Sequence, residues 1–282
     1  GGRRQKRLPE GQIYDNPAGP LTLETILTGG WKKVASTCQR FPFSGPSPGP
    51  TTSVDGTESA LDLWLRFFTF EAIDLIVTET NRYAAQLRED EIAGREWKPT
   101  DRRQIMAFLG IIMVMGIFRL PRTETYWHAF WGYDVVKNVM TKTTFEQLLR
   151  FFHLNDASKQ KAPGEDGYDA LYKVRPLLSI VADRCEHAYN VHEQVSVDEA
   201  MIPFKGRLYF IQYMKDKPTK WGIKVFVLAD ATNGYVKRFQ VYTGKNSDLS
   251  KNELGLSMNV VLELLSGLEH TTRPLRCMSN CT

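Results

Sequence analysis

Near Asn190 the spacing of apolar residues changes from one that suits helices to one that suits strands, which restricts the fold to a helical part followed by a mixed part. Before the switch, Leu61, Trp64, Leu65, Phe68, Ile73, Ile76, Val77 and Tyr83 recur at three- and four-residue intervals, the repeat that aligns side chains along one helix face. Thr69 interrupts this pattern and reads as a break and N-cap, giving two helices over 61–87. Thr100 ahead of Asp101 reads as the N-cap of a helix over 101–118. Thr143, with Glu146 three residues on, has capping-box spacing before Phe145, Leu148, Leu149 and Phe152. A further helical pattern runs from Leu177 to Tyr189, so residues 60–190 are expected to form a helical domain.

After the switch, residues 194–202, 222–228 and 236–242 are rich in β-branched and aromatic side chains and read as strands. Asp230-Ala-Thr-Asn233-Gly234 separates the last two, and Asn-Gly is a hairpin signal because both residues tolerate positive φ. Helical spacing returns from Leu254 to Leu268. The fold class expected is α+β, with the helical domain followed by a second, strand-rich unit over 191–270.

With 282 residues, 42% hydrophobic and 24% charged, the chain can bury a core sufficient for one large or two ordinary domains. Proline and glycine concentrate in residues 1–59, notably over 41–50, and this stretch is expected to be a disordered tail. Residues 271–282 are read as an atypical tail. The longest uncharged apolar run, Ile105 to Phe118, would span roughly 21 Å as a helix, short of a bilayer core of about 30 Å, so it is expected to be a buried helix and no membrane partner is expected. Four cysteines, Cys38, Cys185, Cys277 and Cys281, are too few and scattered for a disulfide framework and favour a reducing compartment. Arg3-Arg4-Gln5-Lys6-Arg7 leads into Leu8-Pro9-Glu10 without an apolar core, unlike a secretory signal. A net charge of +4 permits a polyanionic partner without requiring one.

Asp198 and Glu199 lie within the first strand, and because strand side chains alternate they point to opposite faces. Only one of them can face a given site. A carboxylate there suits Mg²⁺, which takes one or two protein carboxylates together with water and phosphate oxygens, and it equally suits a solvated strand-end acid. The stretch that follows holds Lys205, Arg207, Lys215, Lys217, Lys220 and Lys224, with Asp216 the one acid among them, interleaved with Tyr209, Phe210, Tyr213 and Trp221. That mixture fits phosphate neutralisation with contact to sugars or unstacked bases, or a solvated basic loop whose aromatics pack inward.

Several blocks here are similar to the piggyBac transposase and its domesticated, transposon-derived relatives. They are Ser196-Val-Asp-Glu-Ala-Met-Ile-Pro-Phe-Lys-Gly-Arg207, Lys217-Pro-Thr-Lys-Trp-Gly-Ile-Lys224, Tyr242-Thr-Gly-Lys245, and Glu253-Leu-Gly-Leu256 ahead of Val260-Val-Leu-Glu-Leu264. In the helical half, Phe67-Phe-Thr, Ile76 to Tyr83, Phe108 to Ile112 and Lys173 to Leu177 share the likeness, which covers roughly residues 60–270.

The resemblance implies a nuclear, DNA-binding protein with an RNase H-like core, in which three aspartates hold two Mg²⁺ ions that cut and join DNA. Asp198 falls on the first of those positions. A second aspartate is expected on a strand soon after Leu268, where the sequence reads Glu269-His-Thr-Thr-Arg-Pro-Leu-Arg-Cys-Met-Ser-Asn-Cys-Thr282. The expectation is therefore a partial RNase H-like unit that binds double-stranded DNA, holds no stable Mg²⁺ of its own, and leaves an apolar strand edge uncovered beside Asp198. A homodimer is among the expected assemblies. A fragment of an active transposase and a domesticated interaction module are the alternatives. Asp216, Asp230 and Asp248 are read as ordinary loop or turn residues. Cys277 and Cys281 are spaced like half of a zinc site without a second pair. His128, His153, His187, His192 and His270 are read as structural, and Trp127, Phe130, Trp131 and Tyr133 as core.

Overall fold

The computed structural model describes residues 43–87, 97–244 and 255–268, and the backbone of 273–274. Residues 45–282 form one compact unit; residues 1–44 form another, of which only 43 and 44 are described. The basic start, Cys38, Cys277, Cys281, His270, Asp248, and all of the 271–282 tail except the backbone of 273–274 lie outside the described residues.

The helices are α1 (Ala60–Leu65), α2 (Phe70–Gln86), α3 (Arg102–Ile117), the short α4 (Asp134–Lys137), α5 (Lys142–Phe151), α6 (Arg175–His187) and α7 (Gly255–Leu265). The strands are β1 (Gly49–Pro50), β2 (Tyr189–Asn190), β3 (Gln194–Pro203), β4 (Gln212–Tyr213), β5 (Trp221–Asp230), β6 (Val236–Val241) and β7 (Arg273–Pro274). No helix among the described residues is long and apolar enough to cross a membrane.

Local capping explains where the helices start. Ser59 and Asp62 form a reciprocal capping box on α1, and the Thr69 hydroxyl accepts from the Ala72 amide at α2, as its sequence position indicated. Two expected caps move. Asp101, not Thr100, caps α3 by accepting from the Gln104 amide, because Thr100 is held elsewhere: its N–H and C=O bond the Asn81 side chain at 2.8 and 2.9 Å. Thr141, not Thr143, caps α5 through the Thr144 amide, so Glu146 falls outside the capping box and pairs with Lys142 instead.

Ile73 and Ile76 of α2, Ile105, Phe108 and Ile111 of α3, and Phe145 and Leu148 of α5 close the helical core, with Tyr126 and Val136 between them. After its polar first turn α3 is apolar all round; Ile105, Phe108 and Ile111 are buried, and Met106, Leu109, Val114 and Met115 pack part-buried against the same core. Ile112, Met113, Ile117 and the capping Phe118 stay exposed, so the helix expected to be buried keeps one face at the surface.

Strand β5 pairs antiparallel with β3, β4 and β6, and β7 pairs parallel with the start of β3 through Gln194↔Arg273 and Val195↔Pro274. The β3 edge expected to be uncovered is thus occupied at its first two residues. Val195, Val197, Phe226 and Leu228 pack against Val260 and Leu264 of α7 in a second core. The β5–β6 hairpin closes on Asn233-Gly234, with Gly234 at φ +77°.

The segment around 45–59, expected to belong to a disordered tail, is attached to the fold. Gly49–Pro50 pairs antiparallel with Tyr189–Asn190, and Arg66 bonds the carbonyls of Thr52 and Ser53 and the Glu58 carboxylate. It is held because α6 needs it. The final carbonyls of a helix have no partner within it, and here the Thr51 hydroxyl donates to His187 O and the Thr51 amide to Ala188 O. From the sheet, the Tyr235 hydroxyl donates to Cys185 O and the Lys237 ammonium to Glu186 O.

Candidate nucleic-acid interface

The two acids of β3 separate as strand geometry requires. Glu199 lies across from Phe226, on the face with α7, where Lys224 Nζ is 2.5 Å from its carboxylate and 4.6 Å from the Phe226 ring centroid. Asp198 lies on the other face with its side chain half exposed. Its Oδ1 accepts from the Glu199 amide at 2.7 Å, and Lys217 Nζ stands 3.8 Å away while donating to Glu199 O at 2.9 Å. Beside Asp198 the β3 backbone is therefore bonded by side chains, one carboxylate and one ammonium.

Glycine shapes the hairpin that delivers Lys217. Gly222 pairs with Pro203 of β3 on one side and Gln212 of β4 on the other, and a Cβ on it would lie 2.2 Å from Ile202 O. At this point β5 therefore sits tightly between β3 and β4. The turn closes through Met214 N donating to Lys220 O at 2.8 Å. Tyr213 and Trp221 then face each other as cross-strand partners, ring centroids 4.8 Å apart and tilted 46°.

The six basic residues divide into two sets. Lys217 and Lys224 are half-buried and engaged with the β3 acids, as described. Lys205, Arg207, Lys215 and Lys220 are exposed, and no ion pair holds them among the described residues. The aromatics divide too: Phe210 is buried, whereas Tyr209, Tyr213 and Trp221 are 68%, 53% and 61% exposed. The outcome is a set of exposed basic and aromatic residues over 205–221.

Other candidates resolve to structure. Asp216 is an exposed turn residue, but Asp230, expected to be an ordinary turn residue, is buried. It accepts from the His192 amide and imidazole at 2.8 Å each and from the Thr232 amide at 2.8 Å. Burial alone would raise its carboxyl; these bonds outweigh that and hold it below the usual carboxylate range. His128 Nδ1 accepts from the amides of Phe130 and Trp131, His153 stacks on Tyr83 at 3.5 Å, and His187 bonds Asp183 O. Trp127 and Tyr133 pack as core residues, but Phe130 and Trp131 are exposed, because the loop turned by His128 points them outward.

Sequence reading missed Lys237 and Arg238. Lys237 is buried, and burial, the largest influence, pushes its ammonium below the usual lysine range. Arg238 bonds Glu186 on α6 and Leu264 O at the end of α7. Neighbouring lysine and arginine in a strand carry no signal for such roles, which depend on where two distant helices end.

Among the described residues no three His, Cys, Asp or Glu side chains gather to hold a metal. Asp198 offers one carboxylate, with the Lys217 ammonium 3.8 Å from its Oδ1, and no second acid joins it among the described residues.

A family model described as Transposase IS4 matches residues 59–281, and the chain belongs to this family, in its piggyBac group. The human PiggyBac transposable element-derived protein 3 is 29% identical over 245 residues, covering 84% of this chain and 38% of that protein. The human PiggyBac transposable element-derived protein 2 is 25% identical over 214 residues, covering 75% of this chain and 34% of its own length. Among solved structures, a piggyBac transposase chain from a synaptic complex with hairpin DNA superposes with a TM-score of 0.68 at 25% identity, over 78% of this chain and 46% of that one. The chain thus spans less than half the length of these relatives, and its mixed helix and sheet architecture is similar to the solved transposase.

Proposed function

We propose that these residues form a DNA-contacting part of a piggyBac-type transposase core, with β3 to β6 as the front of an RNase H-like sheet. One observation carries the reading: Lys205, Arg207, Lys215 and Lys220 are exposed without acid partners beside an exposed aromatic hairpin, so their charge is available to phosphates. That the solved relative is a complex with hairpin DNA supports it. Nuclear placement follows from a DNA partner.

In this reading Asp198 is the first metal carboxylate of the core, and Mg²⁺ would supply activation of the attacking oxygen once further carboxylates stood beside it. Lys217 orients Asp198 and keeps the neighbouring strand backbone bonded. The function assigned to the described residues is binding, and strand cleavage is assigned to a protein that brings those carboxylates together. The exposed Ile112, Met113, Ile117 and Phe118 of α3 and its cap favour a protein contact on the helical part, consistent with a homodimer.

The test is binding of a fluorescently labelled duplex as salt is raised. Affinity falling steeply and linearly on logarithmic axes supports phosphate neutralisation, while no duplex binding at low salt sinks the proposal.

A further inference from the structure

We propose that the cavity bordered by the 50–54 stretch, α1 and the end of α6 binds a small molecule with an aromatic hydrocarbon body and one anionic head group. The cavity holds about 540 Å³, inside the range of about 300–1,000 Å³ that small-molecule sites occupy. Its walls come from stretches far apart in the chain, 50–54, 63–69 and 184–189, closed by Tyr235. None of the basic and aromatic residues over 205–221 borders it, so it is separate from the DNA-contacting candidates.

Hydrogen bonding within the fold decides what the walls present. The Tyr235 hydroxyl donates to Cys185 O and the Tyr189 hydroxyl accepts from the Asn233 side chain, each at 2.7 Å. Both polar ends are thereby engaged, and the two rings, stacked with centroids 4.6 Å apart at 27°, offer the cavity carbon. Phe67 continues this aromatic wall, its ring centroid 6.4 Å from that of Tyr235. Val54 and Leu63 also line the cavity yet are 44% and 38% exposed, apolar surface that a bound ring system would take out of water. A nucleobase carries donors and acceptors around its rim and would leave most of them unpaired against these walls, whereas a hydrocarbon ring has none to leave.

Charge selects the head group. Arg66, Arg184 and His187 line the cavity, and no Asp or Glu does. Arg66 is committed to the Glu58 carboxylate and to the carbonyls of Thr52 and Ser53, and the His187 imidazole lies against Asp183. Arg184 is exposed and has no ion pair among the described residues, which leaves its guanidinium free to take a carboxylate or sulfonate in a two-point bond. Open carbonyls at the end of α6 would repel such an anion. They are closed here, accepting from Thr51, Tyr235 and Lys237.

The experiment titrates the full chain with anilinonaphthalene sulfonate, an aromatic anion that fluoresces when buried, and with phenylnaphthylamine, the same ring system without the sulfonate. Saturable binding of the sulfonate is expected, tighter than that of the neutral amine, with displacement by naphthoate. Arg184→Gln should weaken the sulfonate by roughly 10- to 150-fold, the loss of one hydrogen bond to a charged group, and leave the amine unchanged. Val54→Trp, which sets a larger side chain into the wall at an exposed position, should weaken both, with melting curves of the two variants matching the wild type. Sulfonate affinity unchanged by either substitution puts the dye on other apolar surface and overturns the site. Equal weakening of both dyes by Arg184→Gln overturns the anionic head group. Displacement by duplex DNA, or by an aspartyl-phenylalanine peptide at lower concentration than naphthoate, overturns the small-molecule assignment, and absence of saturable binding overturns the proposal as a whole.

Discussion

Lys217 stands 3.8 Å from the Asp198 carboxylate and spends its hydrogen bond on the carbonyl of Glu199. Its charge is shared with a carboxylate and its reach is fixed by the strand, although in sequence Lys217 is indistinguishable from Lys215 and Lys220 on either side. Lys215→Ala and Lys220→Ala are therefore expected each to lower the slope of log affinity against log salt by about 0.9. Lys217→Ala and Lys224→Ala should leave that slope unchanged. Duplex titrations at several salt concentrations check this, and a slope lowered by the Lys217 change would mean that its contact with β3 is given up on binding.

Gly222 and Gly110 make opposite predictions for the same substitution. At Gly222 a methyl group would meet Ile202 O at 2.2 Å, so Gly222→Ala should destabilise by about 1–3 kcal/mol and lower the melting temperature. At Gly110, inside α3, the added methyl meets nothing within 4 Å. Gly110→Ala should stabilise by about 0.5–1 kcal/mol through its helix preference alone. Thermal melts of the two variants decide both.

The Asp230 carboxyl sits lower in the folded chain than the ordinary value of 3.8, because bonds from His192 and Thr232 outweigh its burial. A depressed folded value stabilises fully above the unfolded value and is lost as pH falls through the folded one. Asp230→Asn should therefore cost about 1–3 kcal/mol at neutral pH, since one amide oxygen cannot replace two carboxylate oxygens. The gap between variant and wild type should close as pH drops below about 4. Denaturant melts across acidic pH measure that gap.

Lys237 is buried and donates to Glu186 O and to Tyr189 O, the latter at 2.7 Å. Lys237→Met keeps the bulk and removes both donors, leaving two carbonyls unsatisfied. Stability should fall by about 1–3 kcal/mol in chemical unfolding. A variant as stable as the wild type would show that water enters to cap α6.

The elements themselves were largely legible, because they are encoded by neighbours in the chain. Apolar spacing marked α1, α2, α3 and α6, alternation and branched residues marked β3, β5 and β6, and Asn233-Gly234 marked the hairpin. Caps were legible only where one candidate stood alone, as at Thr69. Beside Asp101 and Thr141 two capping residues competed, and for Thr100 the contest was decided by Asn81, nineteen residues upstream.

The site was legible as a list of residues but not as an arrangement. Which lysines face solvent depends on the turn after β4 folding back onto β3, a relationship between residues 198–199 and 217–224 that no local pattern carries. The exposure of Ile112 and Trp131 was hidden for the same reason, since an apolar residue looks alike whether its neighbour is core or water.

The last carbonyls of α6 are closed by Thr51 from one side and by Tyr235 and Lys237 from the other. A cut near residue 190, where the hydrophobic period changes, would strip Tyr235 and Lys237 from that helix end and leave it with Thr51 alone. The helical and sheet parts should accordingly open together in hydrogen exchange, with the amides of α6 and β6 sharing one opening free energy. The boundary that the amino-acid pattern draws is a boundary of secondary structure; for cooperative unfolding, the same place is a seam that binds the molecule together.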